Sequence, residues 1–127
     1  MIEKTLSKEP IKPIDLVKYA GASGDFNPVH TVPEEALKMG HPSVIAHGMY
    51  VMGLVSQAID KWFSYGKMNS FQVRFMAPIY PGDLLTIKGY LNDESVNHNL
   101  MKGEVEVVDG NNKIKLKGSF ELFDKRR

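Results

Sequence analysis

The chain contains no cysteine, which excludes disulfides, thiolate nucleophiles and cysteine-ligated zinc or iron–sulfur centres. It has almost no net charge, +1 over 127 residues, and neither a basic stripe nor an acidic tail. Nucleic acid and membrane surfaces, which recruit proteins through such patches, are therefore not expected partners. The one basic cluster, Lys125, Arg126 and Arg127, reads as a solvated terminus. No apolar run reaches membrane-spanning length. The opening residues Met1-Ile2-Glu3-Lys4-Thr5 carry charge where a signal peptide needs an apolar run. There is no internal repeat and no linker-like shift in composition. These absences leave one domain over residues 1–127, expected in the cytoplasm, with a hydrophobic content of 43% from which to build one core.

What is present divides into two halves. Residues 2–8 suit a first strand, closed by Pro10 and Pro13. Ile14, Leu16, Val17 and Ala20 suit a short helix from Pro13 to about Ala22, with proline in its first turn and Gly21 and Gly24 ending it. A brief helix is predicted from Pro33 to Met39, and the main helix from about Gly48 to Phe63. Apolar residues occupy most of the main helix's circumference as far as Gln57, a pattern that predicts burial on all sides. Beyond it the period changes to two: Phe71, Val73 and Phe75, then Leu85, Ile87 and Leu91, then a strand near Leu100 to Val108. Asp109-Gly110-Asn111-Asn112 predicts a hairpin into a last strand through Ile114, Leu116, Phe120 and Leu122. One long helix beside four or five antiparallel strands is an α+β arrangement in which the sheet wraps the helix.

Chemistry concentrates in Gly24-Asp25-Phe26-Asn27-Pro28-Val29-His30. The carboxylate and the imidazole stand five positions apart in a loop that a regular strand would not allow. Two readings stand side by side. In one, Asp25 and His30 converge, hold a water, take its proton and return a proton elsewhere. In the other, Asp25 and Asn27 cap backbone amides in an Asx-type turn and His30 merely follows.

A second cluster opens the main helix, Ile45-Ala46-His47-Gly48-Met49. The first amides of a helix have no intrahelical partner, and its dipole favours negative charge there. A glycine at position 48 lets a ligand oxygen approach those amides, which suits a developing oxyanion such as a thioester enolate. Ser56, two turns after Met49, either faces the same pocket or bonds back to a carbonyl one turn earlier. His47 either lines the site or caps and packs at the helix entrance. His41 and His98, in loops, invite no catalytic reading. The histidines and Asp25 lack the spacing of a ligand set, so no metal is expected.

The two clusters together resemble the signature of the MaoC-like, R-specific enoyl-CoA hydratases and of related (3R)-hydroxyacyl thioester dehydratases. Val73-Arg74-Phe75 followed by Pro78-Ile79-Tyr80-Pro81-Gly82-Asp83 is similar to a later segment of the same proteins. The resemblance runs from about Thr5 to Phe123. Asp15 to Gly53 also resembles the catalytic subunit of mycobacterial heterodimeric dehydratases, while a serine at position 56 matches the stand-alone hydratases.

The resemblance implies a hot-dog fold, a curved antiparallel sheet around one central helix, with two such units paired as a homodimer or a heterodimer. It implies a hydro-lyase without a cofactor, acting on acyl-CoA or acyl-ACP thioesters. By residue-for-residue transfer Asp25 and His30 are the catalytic pair and the Gly48 amide holds the thioester oxygen. Asn27 and Ser56 would support the site, and Met49, Tyr50 and Met52 would line the acyl chain. Two rivals share the fold: a hot-dog acyl-CoA thioesterase, which lacks the Asp-Xaa-Asn-Pro-Xaa-His loop, and a non-catalytic partner subunit, in which Asp25 or His30 would be replaced.

Overall fold

A computed structural model describes residues 1–97 and 99–126, with the backbone alone over 93–97. His98 and Arg127 therefore lie outside the described residues. The chain order is β1 (Ile2–Lys8), α1 (Pro13–Ser23), a single 3-10 turn (Pro28–His30), α2 (Pro33–Lys38), α3 (Gly48–Trp62), then β2 (Gly66–Phe75), β3 (Leu85–Asn97), β4 (Leu100–Val108) and β5 (Ile114–Asp124). The sheet has five strands in the order β1-β3-β4-β5-β2, every neighbouring pair antiparallel.

Side chains alternate across a strand, so one face of each is committed to the core. Leu85, Ile87 and Leu91 of β3 are buried, as are Met101, Val105 and Val107 of β4 and Leu116, Phe120 and Leu122 of β5. The intervening Lys102, Glu104, Lys117 and Ser119 are exposed. On this inner face lies α3, which buries Val51, Val55, Ala58 and Ile59. Those positions form one stripe along the helix. Each fully buried aliphatic side chain is worth about 2 kcal/mol against its exposed state. Trp62 at the helix end lies against Gly89 of β3.

The helix corrects the expectation of burial all round. Gly53 and Gln57 are exposed and Met49 is 63% exposed, because the sheet covers only one side of α3 in a single chain. Two boundaries also shift: Gly21 lies inside α1, which Gly24 alone ends, and β3 runs past Leu91 to Asn97.

The connections hold the helix entrance in place. Ala46 N–H donates to Ile79 O at 2.8 Å, Ile45 N–H to Val29 O at 3.1 Å, and Gly82 N–H to Ile11 O at 3.0 Å. The buried Lys115 donates to Pro78 O at 2.9 Å, with Asp109 and Asp83 carboxylates 3.7 and 3.9 Å from its Nζ. The 77–83 segment is thereby tied both to the sheet and to the residues just before α3. No described helix is long and apolar enough to cross a membrane.

Candidate active site

Helix α1 stops at Gly24, which adopts φ +80° and donates its N–H to Ala20 O at 2.9 Å. This left-handed cap is one a side chain would strain. The chain then takes two short side-chain turns. Asp25 Oδ1 accepts from Asn27 N–H at 3.2 Å, and Asn27 Oδ1 accepts from Val29 N–H at 3.1 Å. Pro28 begins the 3-10 turn that carries His30.

The side-chain turns of one reading and the convergence of Asp25 and His30 in the other are therefore compatible. Asp25 spends Oδ1 on the backbone turn and presents Oδ2 to His30 Nε2 at 3.8 Å. That gap is too long for a direct hydrogen bond, yet one water can reach both atoms. His30 Nδ1 lies 2.8 Å from Ile45 O. A carbonyl only accepts, so Nδ1 carries the hydrogen and, in the neutral ring, Nε2 carries the lone pair. The imidazole is 10% exposed and the Asp25 side chain 51%.

Beneath the pair lies a residue that the sequence left at the helix entrance. His47 is 1% exposed and stacks on His30, with ring centroids 3.9 Å apart and 23° between the planes. Its Nε2–H donates to Asp25 O at 3.2 Å, and Nδ1 is buried without a hydrogen-bond partner among the described residues. It packs as expected but does not cap: its side chain makes no capping bond to α3. Burial holds its pKa below the ordinary histidine range, and the neighbouring His30 pushes the same way, against the pull of Asp25. Nothing in the sequence spacing signals the stack, because residues 30 and 47 meet only through the fold. Tyr19 extends the cluster, its ring edge-on to His47 at 4.8 Å and tilted against Tyr50 at 5.2 Å.

Asp25, His30 and His47 place ligand-type atoms within 4.8 Å of one another, closer than their sequence spacing suggests. The rings are nonetheless poorly set for a shared cation. Imidazole lone pairs lie in the ring plane, and two nearly parallel rings cannot both aim at one ion between them. One nitrogen of each is also committed to a backbone carbonyl.

The remaining site residues are distributed less tightly. The first intrahelical bonds of α3 come from Tyr50 and Val51 to His47 O, so the Gly48 and Met49 amides precede the ladder. The space beside Gly48 is taken by the Phe75 ring. Met52 is half-buried. Tyr50 lines a recess with Leu6, Ile11, Leu54 and Gln57, and burial, reinforced by Asp15, raises the pKa of its hydroxyl. Ser56 lines another recess, of about 260 Å³, with Phe63, Met68 and Leu122. Neither recess is lined by Asp25 or His30.

Residues 3–113 match the MaoC like domain. The chain belongs to this family. It is 31% identical over 115 residues, 87% of its length, to a fatty acid synthase subunit beta of Aspergillus oryzae. It is 39% identical over 69 residues, 54% of its length, to 3-hydroxyacyl-thioester dehydratase X of Mycobacterium tuberculosis. The chain spans 6% and 24% of these two relatives' lengths. It superimposes on the unliganded R-hydratase PhaJ1 of Pseudomonas aeruginosa with a TM-score of 0.87 and 26% identity, covering 97% of this chain and 79% of that one. The MaoC-like chain thus has the hot-dog fold that its sequence implies.

Proposed function

We propose that this MaoC-like chain catalyses the reversible, cofactor-free hydration of a trans-2-enoyl thioester, carried on CoA or ACP, to the (R)-3-hydroxyacyl thioester. The observation that carries the reading is the 3.8 Å approach of Asp25 Oδ2 to His30 Nε2, with the other polar atom of each side chain committed to the backbone. Two acceptors at that separation hold one water by its two hydrogens and leave its oxygen lone pairs free. Attack of that oxygen on C3 forms the C–O bond and moves the alkene electrons to C2 and the thioester oxygen. The pair takes up the water proton, and a proton from the pair then closes C2. Atoms balance without any further reactant. Because two coupled groups share the proton, the pair is treated as one unit rather than as a fixed acid and a fixed base.

The enolate oxygen is assigned to the Gly48 amide, where the helix dipole and an N–H that precedes the helical ladder stabilise negative charge. Asn27 supports the loop through its bond to Val29 N–H. The acyl chain is assigned to the α3 surface bearing Met49, Tyr50 and Met52, and Ser56, two turns after Met49, to support of the site. R stereochemistry rests on the likeness to the R-hydratase.

We further propose that two hot dogs pair, as a homodimer or with a second hot-dog chain, along the edge of β2. Among the described residues that strand pairs with β5 alone, and an open edge of ten residues is a template for a second strand. Phe26, Met49 and Phe75 stand exposed at 68%, 63% and 51%, apolar surface that a second chain or an acyl thioester would cover.

The test is purified protein mixed with crotonyl-CoA, following enoyl absorbance and product chirality. Formation of (R)-3-hydroxybutyryl-CoA supports the reading. Release of free thiol without a hydroxy product overturns it in favour of thioester hydrolysis.

A further inference from the structure

We infer that His47 is a positioning residue that holds both members of the Asp25–His30 pair, one through its ring face and the other through its Nε2–H. This rests on the hydratase reading of that pair.

The geometry is specific. A capping or packing histidine needs only to fill space at a helix entrance. His47 instead makes two contacts of different kinds to the two residues of the pair. Its ring supports the His30 ring from below at a centroid distance of 3.9 Å. Its Nε2–H anchors the Asp25 carbonyl at 3.2 Å, fixing the backbone from which the carboxylate projects. Tyr19, edge-on at 4.8 Å, holds His47 from another side. The His30 ring is then clamped between the Ile45 carbonyl bond and the His47 face, which leaves its Nε2 only the direction of Asp25 Oδ2.

The protonation state agrees with this role. A carbonyl partner requires the Nε2–H tautomer, so the neutral Nδ1 is an acceptor with no hydrogen-bond partner among the described residues. Protonating Nδ1 would bury an unpaired N–H and a charge beside His30, a costly arrangement. Burial accordingly disfavours the charged form. His47 thus acts as a neutral platform and takes no part in the proton transfers. The pair needs such support: misplacing a reacting group by about 1 Å costs on the order of 100-fold in rate.

Two substitutions separate the two contacts. His47→Phe keeps a ring and removes the N–H; His47→Gln keeps an N–H and removes the ring. Each is expected to lower kcat for crotonyl-CoA hydration by roughly 10- to 100-fold while KM stays within about threefold. On a His30→Ala background the same changes should cost almost nothing more, since the support acts through the pair. Imidazole 15N spectra give a readout that needs no substrate. The His30 ring should change tautomer balance or mobility in His47→Gln, which loses the stack, and much less in His47→Phe, which keeps it, while the rest of the spectrum holds. Folded variants with wild-type kcat, an additive loss on the His30→Ala background, or a His30 ring unchanged in His47→Gln would each overturn the assignment. Full activity in Asp25→Asn or His30→Ala would instead overturn the pair, and this inference with it.

Discussion

The Phe75 ring fills the volume that a side chain at position 48 would need: a Cβ built on Gly48 lies 2.9 Å from Phe75 Cζ. The sequence suggested that Gly48 is small so that a ligand oxygen can reach the helix amides. In this structure the missing side chain also admits an aromatic ring from the end of β2. Gly48→Ala must displace that ring, and Phe75, at 51% exposed, has room to move. The expected cost is about 1 kcal/mol, at the low end for overpacking. Adding Phe75→Ala should recover most of it, so the two changes should be clearly non-additive in thermal melts. Additive melts would mean that the ring contact carries no energy.

Asp25→Asn isolates the chemistry from the turn. Asparagine keeps a side-chain oxygen for the Asn27 N–H now held by Oδ1 at 3.2 Å, so the melting temperature should stay near wild type. The rate should fall by roughly two orders of magnitude or more, because the group facing His30 Nε2 no longer accepts a proton. His30→Ala should cost a similar factor in rate. Asn27→Ala should behave the opposite way. It removes the acceptor of the Val29 N–H, costing about 1 kcal/mol of stability as a lost cap, with a smaller effect on rate. Steady-state kinetics beside melts distinguish the two patterns, and an active Asp25→Asn enzyme would remove the proposed mechanism.

Acid should destabilise the protein partly through His47. Burial holds its folded pKa below the ordinary histidine value of 6.5, so the unfolded chain binds its proton first as pH falls. Stability from this group is therefore complete above about pH 6.5, declines below it, and stops declining once pH passes the lowered folded pKa. Melting temperatures measured from pH 8 to pH 5 should fall less steeply for His47→Phe than for wild type. Equal slopes would show that the imidazole does not titrate differently on folding.

The fold was legible wherever a residue's burial follows from local spacing. Leu85, Ile87 and Leu91 alternate with polar neighbours, and their strand appears where that pattern predicts it. The approach of Asp25 to His30 was legible because the two stand five positions apart in one loop of consecutive turns. The His30–His47 stack was not, since it forms only when Ile45 bonds to Val29 O and to the His30 ring across the fold. The apolar far side of α3 also misled. Met49 reads as core by composition, yet stays exposed in a single chain. Periodicity records that a face is apolar without saying which chain covers it.

Lys115 tests how far the support of the site extends. The side chain is 7% exposed and bonds to Pro78 O, beside Asp109 and Asp83 carboxylates that are 14% and 27% exposed. Asp83 Oδ2 in turn accepts from Tyr80 N–H at 2.9 Å. Lys115→Met keeps the aliphatic stem and removes the charge, leaving the Pro78 carbonyl without its donor and two half-buried carboxylates without the cation beside them. The expected destabilisation is about 1–3 kcal/mol, as for a carbonyl that loses its only side-chain donor. The residue after Pro78 is Ile79, whose carbonyl holds Ala46 N–H at 2.8 Å directly before His47. A loosened 77–83 segment should therefore lower kcat as well as stability. Restoring the melting temperature with a stabilising change on the far β3–β4 side should leave that kcat loss in place. Recovery of kcat with stability alone would confine Lys115 to the scaffold.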